Sequence, residues 1–320
     1  MNELKAKFTP QKAKTGLSTA YASLIFVVLV WGCAPSVYSI LFNYFSPSMC
    51  PAIIGLSSAI FLFFFSIKHL KEINKIYFLL AIPTGFFNGA ASVLQKIGLQ
   101  YTSDAHYAFL ENLSCIVVPF LMFLFIRKKP SALKIAASII CLAGAFILNS
   151  KDSGLSLNIG DILCAIAGIL YGVNIALTGS FAKNLHSSMY VMIQMFVTSA
   201  IAFATSFTLN AITIGGEPIE PIKFEFRFLP IAGLIVFGLV TNALCWIVRT
   251  RAMRKIDATV VAVIMPFSAI VTAIISVIRG SDELTPQLIF GGLFCFSAAI
   301  LSGFADTITV KHKRKKVSIK

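Results

Sequence analysis

YFLLAIPTGFFNGAASVLQKIGLQYTSDAHYAFLENLSCIVVPFLMFLFIR, residues 77–127, decides the fold. Two apolar runs, 77–101 and 105–126, flank the polar turn Thr102-Ser103-Asp104. Each holds about 20 mostly apolar residues, the length of helix that crosses a hydrocarbon core. Two full charges, Lys96 and Glu111, sit inside this hairpin, and the midpoint between them falls in the turn. They therefore lie at similar depth on adjacent antiparallel helices. A charge at depth costs on the order of 3 kcal/mol on insertion scales, so it pairs or lines a polar cavity. Helical steps from Lys96 collect Gly85, Asn88, Ser92 and Gln100 into one polar stripe on an apolar helix.

The rest of the chain agrees in composition. It is 57% hydrophobic and 12% charged, with a mean hydropathy of +0.85. Soluble domains carry about 25% charged residues, so the numbers require an integral membrane protein with several spans. The net charge of +14 does not point to nucleic acid, because the charges gather between apolar runs and at the two ends, as in cytoplasmic loops. All of the cysteines except Cys50 (Cys33, Cys115, Cys141, Cys164, Cys245, Cys295) fall within apolar runs, with no CxxC and no Cys/His cluster. They read as packing residues, not as disulfides or metal ligands. The first apolar run is too long for a signal-peptide core and lacks a small-residue cleavage site, so it is kept as a span.

Ten apolar segments can be drawn, at about 20–42, 50–67, 77–101, 105–126, 132–149, 159–181, 188–210, 228–249, 257–278 and 287–308. Alternating them puts most of the basic residues on one side: the N-terminal tail 1–19, the 68–75 loop, Arg127 to Lys134, Lys183, the 249–255 cluster and the basic tail 311–320. Only Lys151, Lys223, Arg227 and Arg279 fall on the other side. This bias places both termini in the cytoplasm, in a multi-pass protein of the cell membrane. The basic tail faces anionic lipid.

The second half echoes the first. Val30-Trp31-Gly32 matches Leu170-Tyr171-Gly172, and Ser48-Met49 matches Ser188-Met189, at an offset of about 140. Gly85, Lys96 and Asp104-Ala105 match Gly238, Arg249 and Asp257-Ala258 at about 153, the long loop 211–227 absorbing the difference. The reading is an all-α protein of ten transmembrane helices, built from five-helix repeats at 20–149 and 150–310. Five is odd, so the second copy enters from the opposite side, the inverted-repeat plan of many secondary transporters.

Several residues are candidates for a substrate site. Lys96 and Glu111 either contact the substrate, with Glu111 a proton-coupling candidate, or form a permanent ion pair. Asn88 and Ser92 share the Lys96 stripe, and Asn112 follows Glu111. Trp31, with Pro35 and Tyr38, and Tyr171, with Asn174 and Thr178, suit a cavity for an amphipathic or cationic organic ligand, or else pack ordinarily. Gln194, Asn242 and Trp246 complete the set. Arg249 is read at the cytoplasmic end, against headgroups or helix ends, and Asp161 and Asp306 as interfacial. No HExxH, GxSxG, Walker-A or GxGxxG pattern is present, and His69, His106, His186 and His312 are scattered near loops. No enzyme, no cofactor and no metal are expected.

The ordered set Val30-Trp31-Gly32, GLQYTS at 98–103, Ala108-Phe109-Leu110, Pro119, Asp282-Glu283-Leu284-Thr285 and Gly291-Gly292 resembles the EamA-type branch of the drug/metabolite transporter superfamily. The resemblance covers nearly all of 20–308. It implies ten helices, cytoplasmic termini, alternating access, and export or exchange of small metabolites such as amino acids, or of drug-like compounds. Arg127-Lys128-Lys129-Pro130 departs from the family by lacking an acid, and Glu111 stands where a neutral residue is expected, marking it as a specificity determinant. The leading function is secondary export of small organic solutes, with Glu111 the candidate for proton coupling, by a monomer or homodimer in the lipid bilayer. The alternatives are a lipid-precursor translocator and a non-transporting receptor or assembly subunit.

Overall fold

An apolar run in lipid must satisfy its backbone polar groups internally, which leaves the helix as its natural form. The computed structural model describes residues 16–301 except 128–130, 149, 152–153, 156–157, 183–184, 282, 284, 288, 295 and 299. The basic residues of the N-terminal tail, Lys128, Lys129, Lys183, Cys295, Asp282, Leu284, Asp306, His312 and the tail 311–320 therefore lie outside the described residues.

The helices are α1 (Leu17–Leu41), α2 (Met49–Phe65), α3 (Lys75–Leu99), α4 (Asp104–Leu110), α5 (Ser114–Ile126), α6 (Ala132–Leu148), α7 (Ile159–Phe181) and α8 (Ser187–Ala211). After a small β-hairpin, Thr213–Ile214 with Glu217–Pro218, follow α9 (Phe228–Gly238), α10 (Cys245–Ala252), α11 (Ala258–Ile264), α12 (Phe267–Ile278) and α13 (Ile289–Ala298). Among the described residues, seven stretches are long and apolar enough to cross a membrane: Leu17–Leu41, Lys75–Leu99, His106–Phe125, Ile159–Phe181, Ser187–Ala211, Phe228–Ala252 and Ala258–Ile278. Three shorter apolar helices, Met49–Phe65, Ala132–Gly144 and Ile289–Ala298, occupy the other places where segments are expected.

Local chemistry sets the helix starts. The Asn74 side chain accepts from the Ile76 amide, Ser103 from His106 and Asp257 from Thr259. Asn158 and Asp161 form a reciprocal capping box. Asp161, read as lying near a span end, stands in the first turn of its helix, is 1% exposed and also accepts from Thr102.

Helices of the two halves pack on one another and do not form two separate cores. α3 lies against α7 and α8, α2 against α8, α1 against α12, and α5 against α7. Along α1, Ala20 and Leu24 share an apolar cluster with Met253, Ile256 and Ala258, whereas Ser36 and Ser39 reach Asp104. The turns before Asp104 and Asp257 therefore sit at opposite ends of α1. On the end that holds Asp104, the loop after the hairpin folds back: Glu220 accepts from the Ser48 amide and hydroxyl, and Phe45 pairs with Phe224. At the α7–α8 junction His186 stacks on His69 at 4.8 Å. Burial and that neighbour push the His186 imidazole below its ordinary pKa.

The outside of the bundle is strongly apolar. Phe64, Phe65, Leu79, Leu124, Ile139 and Ile278 are each more than half exposed. In water each such side chain would forgo about 1.5–3 kcal/mol of burial, so this surface is built to face lipid. Five of the expected packing cysteines, Cys50, Cys115, Cys141, Cys164 and Cys245, are buried; Cys33 is exposed.

Candidate functional site

The polar stripe of α3 turns inward. Ser92, Gln95 and Lys96 are each at most 7% exposed, in a helix whose outer face carries the exposed Phe78, Leu79, Ile82 and Phe86. Opposite them the chain leaves α-helical geometry twice. α4 gives way to a 3-10 turn, Glu111–Leu113, and α9 to a π-helical segment, Leu239–Leu244. Departures of this kind recur at functional sites. The close approach of α7 fixes the first: a Cβ on Gly168 would come within 2.5 Å of the Leu110 carbonyl oxygen and 2.8 Å of that of Glu111.

Between these elements lies a cavity of about 70 Å³. Trp31, Asn88, Ser92, Lys96, Glu111, Asn112, Tyr171, Asn242 and Trp246, all candidates from the sequence, line it. So do Tyr38, Gln95, Tyr107, Thr241 and Arg249. Asn174 and Gln194 stand behind the wall. Asn174 Nδ2 donates to the Thr84 carbonyl at 2.8 Å, while Gln194 is fully buried with neither amide atom bonded.

Lys96 and Glu111 do not form a direct ion pair. Lys96 Nζ donates to Gln95 Oε1 at 2.6 Å, and Gln95 Nε2 donates to Glu111 Oε2 at 2.7 Å. The Gln95 amide thus joins cation to anion. Tyr171 donates its hydroxyl to the same Oε1 at 2.9 Å, so two donors fix which way the amide faces. Lys96 Nζ also donates to the Tyr107 hydroxyl at 2.9 Å and lies 4.4 Å from the Tyr38 ring centroid.

Arg249 overturns the reading that put it against headgroups. It is 2% exposed, its guanidinium carbon 3.8 Å from the Trp246 ring centroid and 5.5 Å from that of Trp31. Its NH2 donates to Asn174 Oδ1 at 3.0 Å, and its Nε is buried without a partner. Trp31 Nε1 donates to the Thr241 carbonyl in the π-helical segment at 3.0 Å. The indole is thereby held beside the guanidinium.

The EamA-like transporter family matches this sequence twice, over residues 18–150 and 158–304. The chain belongs to that family. A relative from Archaeoglobus fulgidus, described as an uncharacterized transporter, is 23% identical over 305 residues, which are 93% of this chain and 91% of that protein. A solved crystal structure superposes with a TM-score of 0.68, covering 91% of this chain and 99% of its own, at 11% identity. That likeness concerns the fold alone.

For this EamA-family protein, the sequence missed three cavity groups. Gln95 lies one residue off the Asn88–Ser92–Lys96 stripe, although an amide beside a lysine in an apolar helix was itself a signal. Tyr107 reads as one more aromatic in the GLQYTS-to-Phe109 region. Arg249 was masked by its basic neighbours Arg251, Arg254 and Lys255. No group of His, Cys, Asp and Glu able to hold a metal occurs among the described residues.

Proposed function

We propose that this EamA-family protein is a secondary transporter of small organic solutes, working by alternating access around the central cavity in the direction of export. The observation that carries the reading is a buried cavity, lined by polar and charged side chains from both halves, inside a bundle with an apolar exterior. In this reading ten spans form two inverted five-helix repeats, 20–149 and 150–310. Both termini, including the tails 1–19 and 311–320, face the cytoplasm of a cell membrane. The position of the Asp104 and Asp257 turns at opposite ends of α1 supports the inversion.

Alternating access needs contacts that can break at either end. Asp104 Oδ2 lies 3.7 Å from Arg279 Nη1, and Asp257 Oδ1 lies 3.7 Å from Lys134 Nζ. Each link joins the first half to the second. The opposite placement of these two links supports a pair of gates. One chain supplies the whole cavity, which supports the monomer as the working unit.

Glu111 is the proton-coupling residue of the proposal. It is linked to Lys96 through a neutral amide, so a change in its protonation is felt by the cation without passing through solvent. The test uses proteoliposomes with an internal pH dye and a panel of amino acids, amines, nucleosides, organic acids and lipophilic cations. Glu111→Gln is expected to exchange solute while moving no protons. If the variant moves both as the wild type does, Glu111 is not the coupling site.

One observation favours a lipid-precursor translocator as the second reading. An apolar groove of about 530 Å³ runs between α12 and α13, where Phe109, Ile274, Ile278 and Phe296 could line an acyl chain. Movement of no soluble compound, with movement of a fluorescent lipid, would put this reading first.

A further inference from the structure

We propose that the transported solute is a small organic monoanion, a monocarboxylate, anchored by Arg249. This rests on the transport reading above and narrows its substrate class.

Among the described residues, Lys96, Arg249 and Glu111 are the Lys, Arg, Asp and Glu side chains that line the cavity. The two cations differ in how their charge is met. The charge of Lys96 is answered by Glu111 through Gln95, and Glu111 Oε2 is in turn satisfied by that amide. Arg249 has no carboxylate within ion-pair distance among the described residues. Its recorded polar partner is the neutral Oδ1 of Asn174, and its Nε is buried and unbonded. The cavity therefore carries one positive charge in excess, on a side chain 2% exposed.

Such a group is expensive to leave unanswered, because a buried charge needs an opposite charge and full hydrogen bonding. The surroundings of Arg249 hold it in position without neutralising it. Asn174 is fixed by the Thr84 carbonyl, and Thr84 Oγ1 accepts from Tyr190, whose hydroxyl also meets Thr178. The Trp246 ring covers one face of the guanidinium. With NH2 donating to Asn174, what this leaves unbonded is Nε, in a planar guanidinium whose donors match a carboxylate.

The same geometry argues against the cationic ligand that the aromatic residues suggest in the sequence. The Trp246 face is already occupied by the protein's own guanidinium, and the Tyr38 face by the Lys96 ammonium. An incoming cation would add to the excess charge and find these rings taken. A monoanion balances the excess, whereas a dianion reverses it. The cavity volume of about 70 Å³ restricts the solute to a small body.

The test compares solutes of similar small size and differing in charge: propanoate, propanamide and propylamine, with inorganic phosphate as the polyvalent anion. Full-length protein is assayed by thermal shift in detergent and by flux in proteoliposomes. The expected result is stabilisation and transport by the carboxylate alone. Arg249→Lys keeps the charge and loses the fork, so carboxylate affinity should fall about tenfold. Arg249→Gln should lose it altogether. Because Arg249→Gln can also fold poorly, the solute comparison on wild-type protein and the lysine variant carry the test independently.

Preference for the amine, the amide or phosphate would overturn the monocarboxylate proposal and leave the transport reading intact. Unchanged carboxylate affinity in Arg249→Lys and Arg249→Gln would overturn the assignment of the anchor. Failure of every solute in this set to bind or move would overturn the monocarboxylate proposal, while movement of any other compound of the wider panel above would leave the transport reading standing.

Discussion

Lys96 and Arg249 stand 153 residues apart at matching places in the two halves, and both are buried cations lining one cavity. Their surroundings have diverged. Beside Lys96 the first half supplies Gln95 and Glu111; at the same offset the second half has Val248 and Ile264. In the first half the charge is answered within the protein, in the second it is stacked on tryptophan and left open. The two matched halves have kept the position of a charge while changing what surrounds it.

The sharpest way to break this comparison is to remove each cation. Lys96→Met leaves Glu111 as a buried carboxylate without its compensating charge, which should cost about 3–5 kcal/mol. Adding Glu111→Gln should restore most of that loss, and a double-mutant cycle on detergent-solubilised protein reads the coupling. Arg249→Met orphans Asn174 Oδ1, a neutral acceptor, at about 1–3 kcal/mol, but it also removes a buried charge that no carboxylate answers, so the net cost should be well below that of Lys96→Met. Glu111→Gln should not rescue it. Equal coupling of both cations to Glu111 would mean that the two halves share one charge network, and the distinction would fall.

A smaller effect should follow from Gly168→Ala. Its Cβ would press on the backbone carbonyls of Leu110 and Glu111, which cannot rotate away as a side-chain end can. Overpacking of this kind costs about 1–3 kcal/mol. Gly233→Ala is the control, since nothing lies within 4 Å of its Cβ position. A lowered melting temperature for Gly168→Ala alone shows that the α7 crossing holds the Glu111 turn; equal values would show that the turn holds itself.

Much of the bundle was legible because its signals are periodic. Apolar length marked the helices, and Asn88, Ser92 and Lys96 fell on one face by simple helical spacing. What was hidden depended on broken periodicity. The π-helical segment Leu239–Leu244 changes the turn of the helix just before Arg249, so a uniform helical count and the basic run 249–255 both misdirected the reading of that residue. Nothing in Glu111-Asn112-Leu113 announces a 3-10 turn, and the helix that packs on it does so at Gly168, far away in sequence. The amide between Lys96 and Glu111 was likewise invisible to a reading that asked only which charges lie at similar depth.

The smallest expected effect on stability lies at the two ends of α1, where the comparison between halves can be made dynamic. Asp104 accepts from the Ser36 and Ser39 hydroxyls besides facing Arg279, whose side chain is 34% exposed. Asp257 faces Lys134 with side chains 10% and 7% exposed. Asp104→Asn keeps an acceptor for the serines and loses the attraction to a part-exposed arginine, worth about 0–1 kcal/mol. Such a change barely moves a melting temperature, yet it shifts a balanced two-state equilibrium by up to about fivefold. A cysteine placed at Ser268, on the cavity wall, reports that shift through labelling by a membrane-impermeant maleimide in oriented vesicles. If the two acids are opposing gates, Asp104→Asn raises labelling from the outside and Asp257→Asn lowers it, the second more strongly because its pair is more buried. Changes of the same sign would make both links structural braces, and access to the cavity would then have to be controlled elsewhere in the bundle.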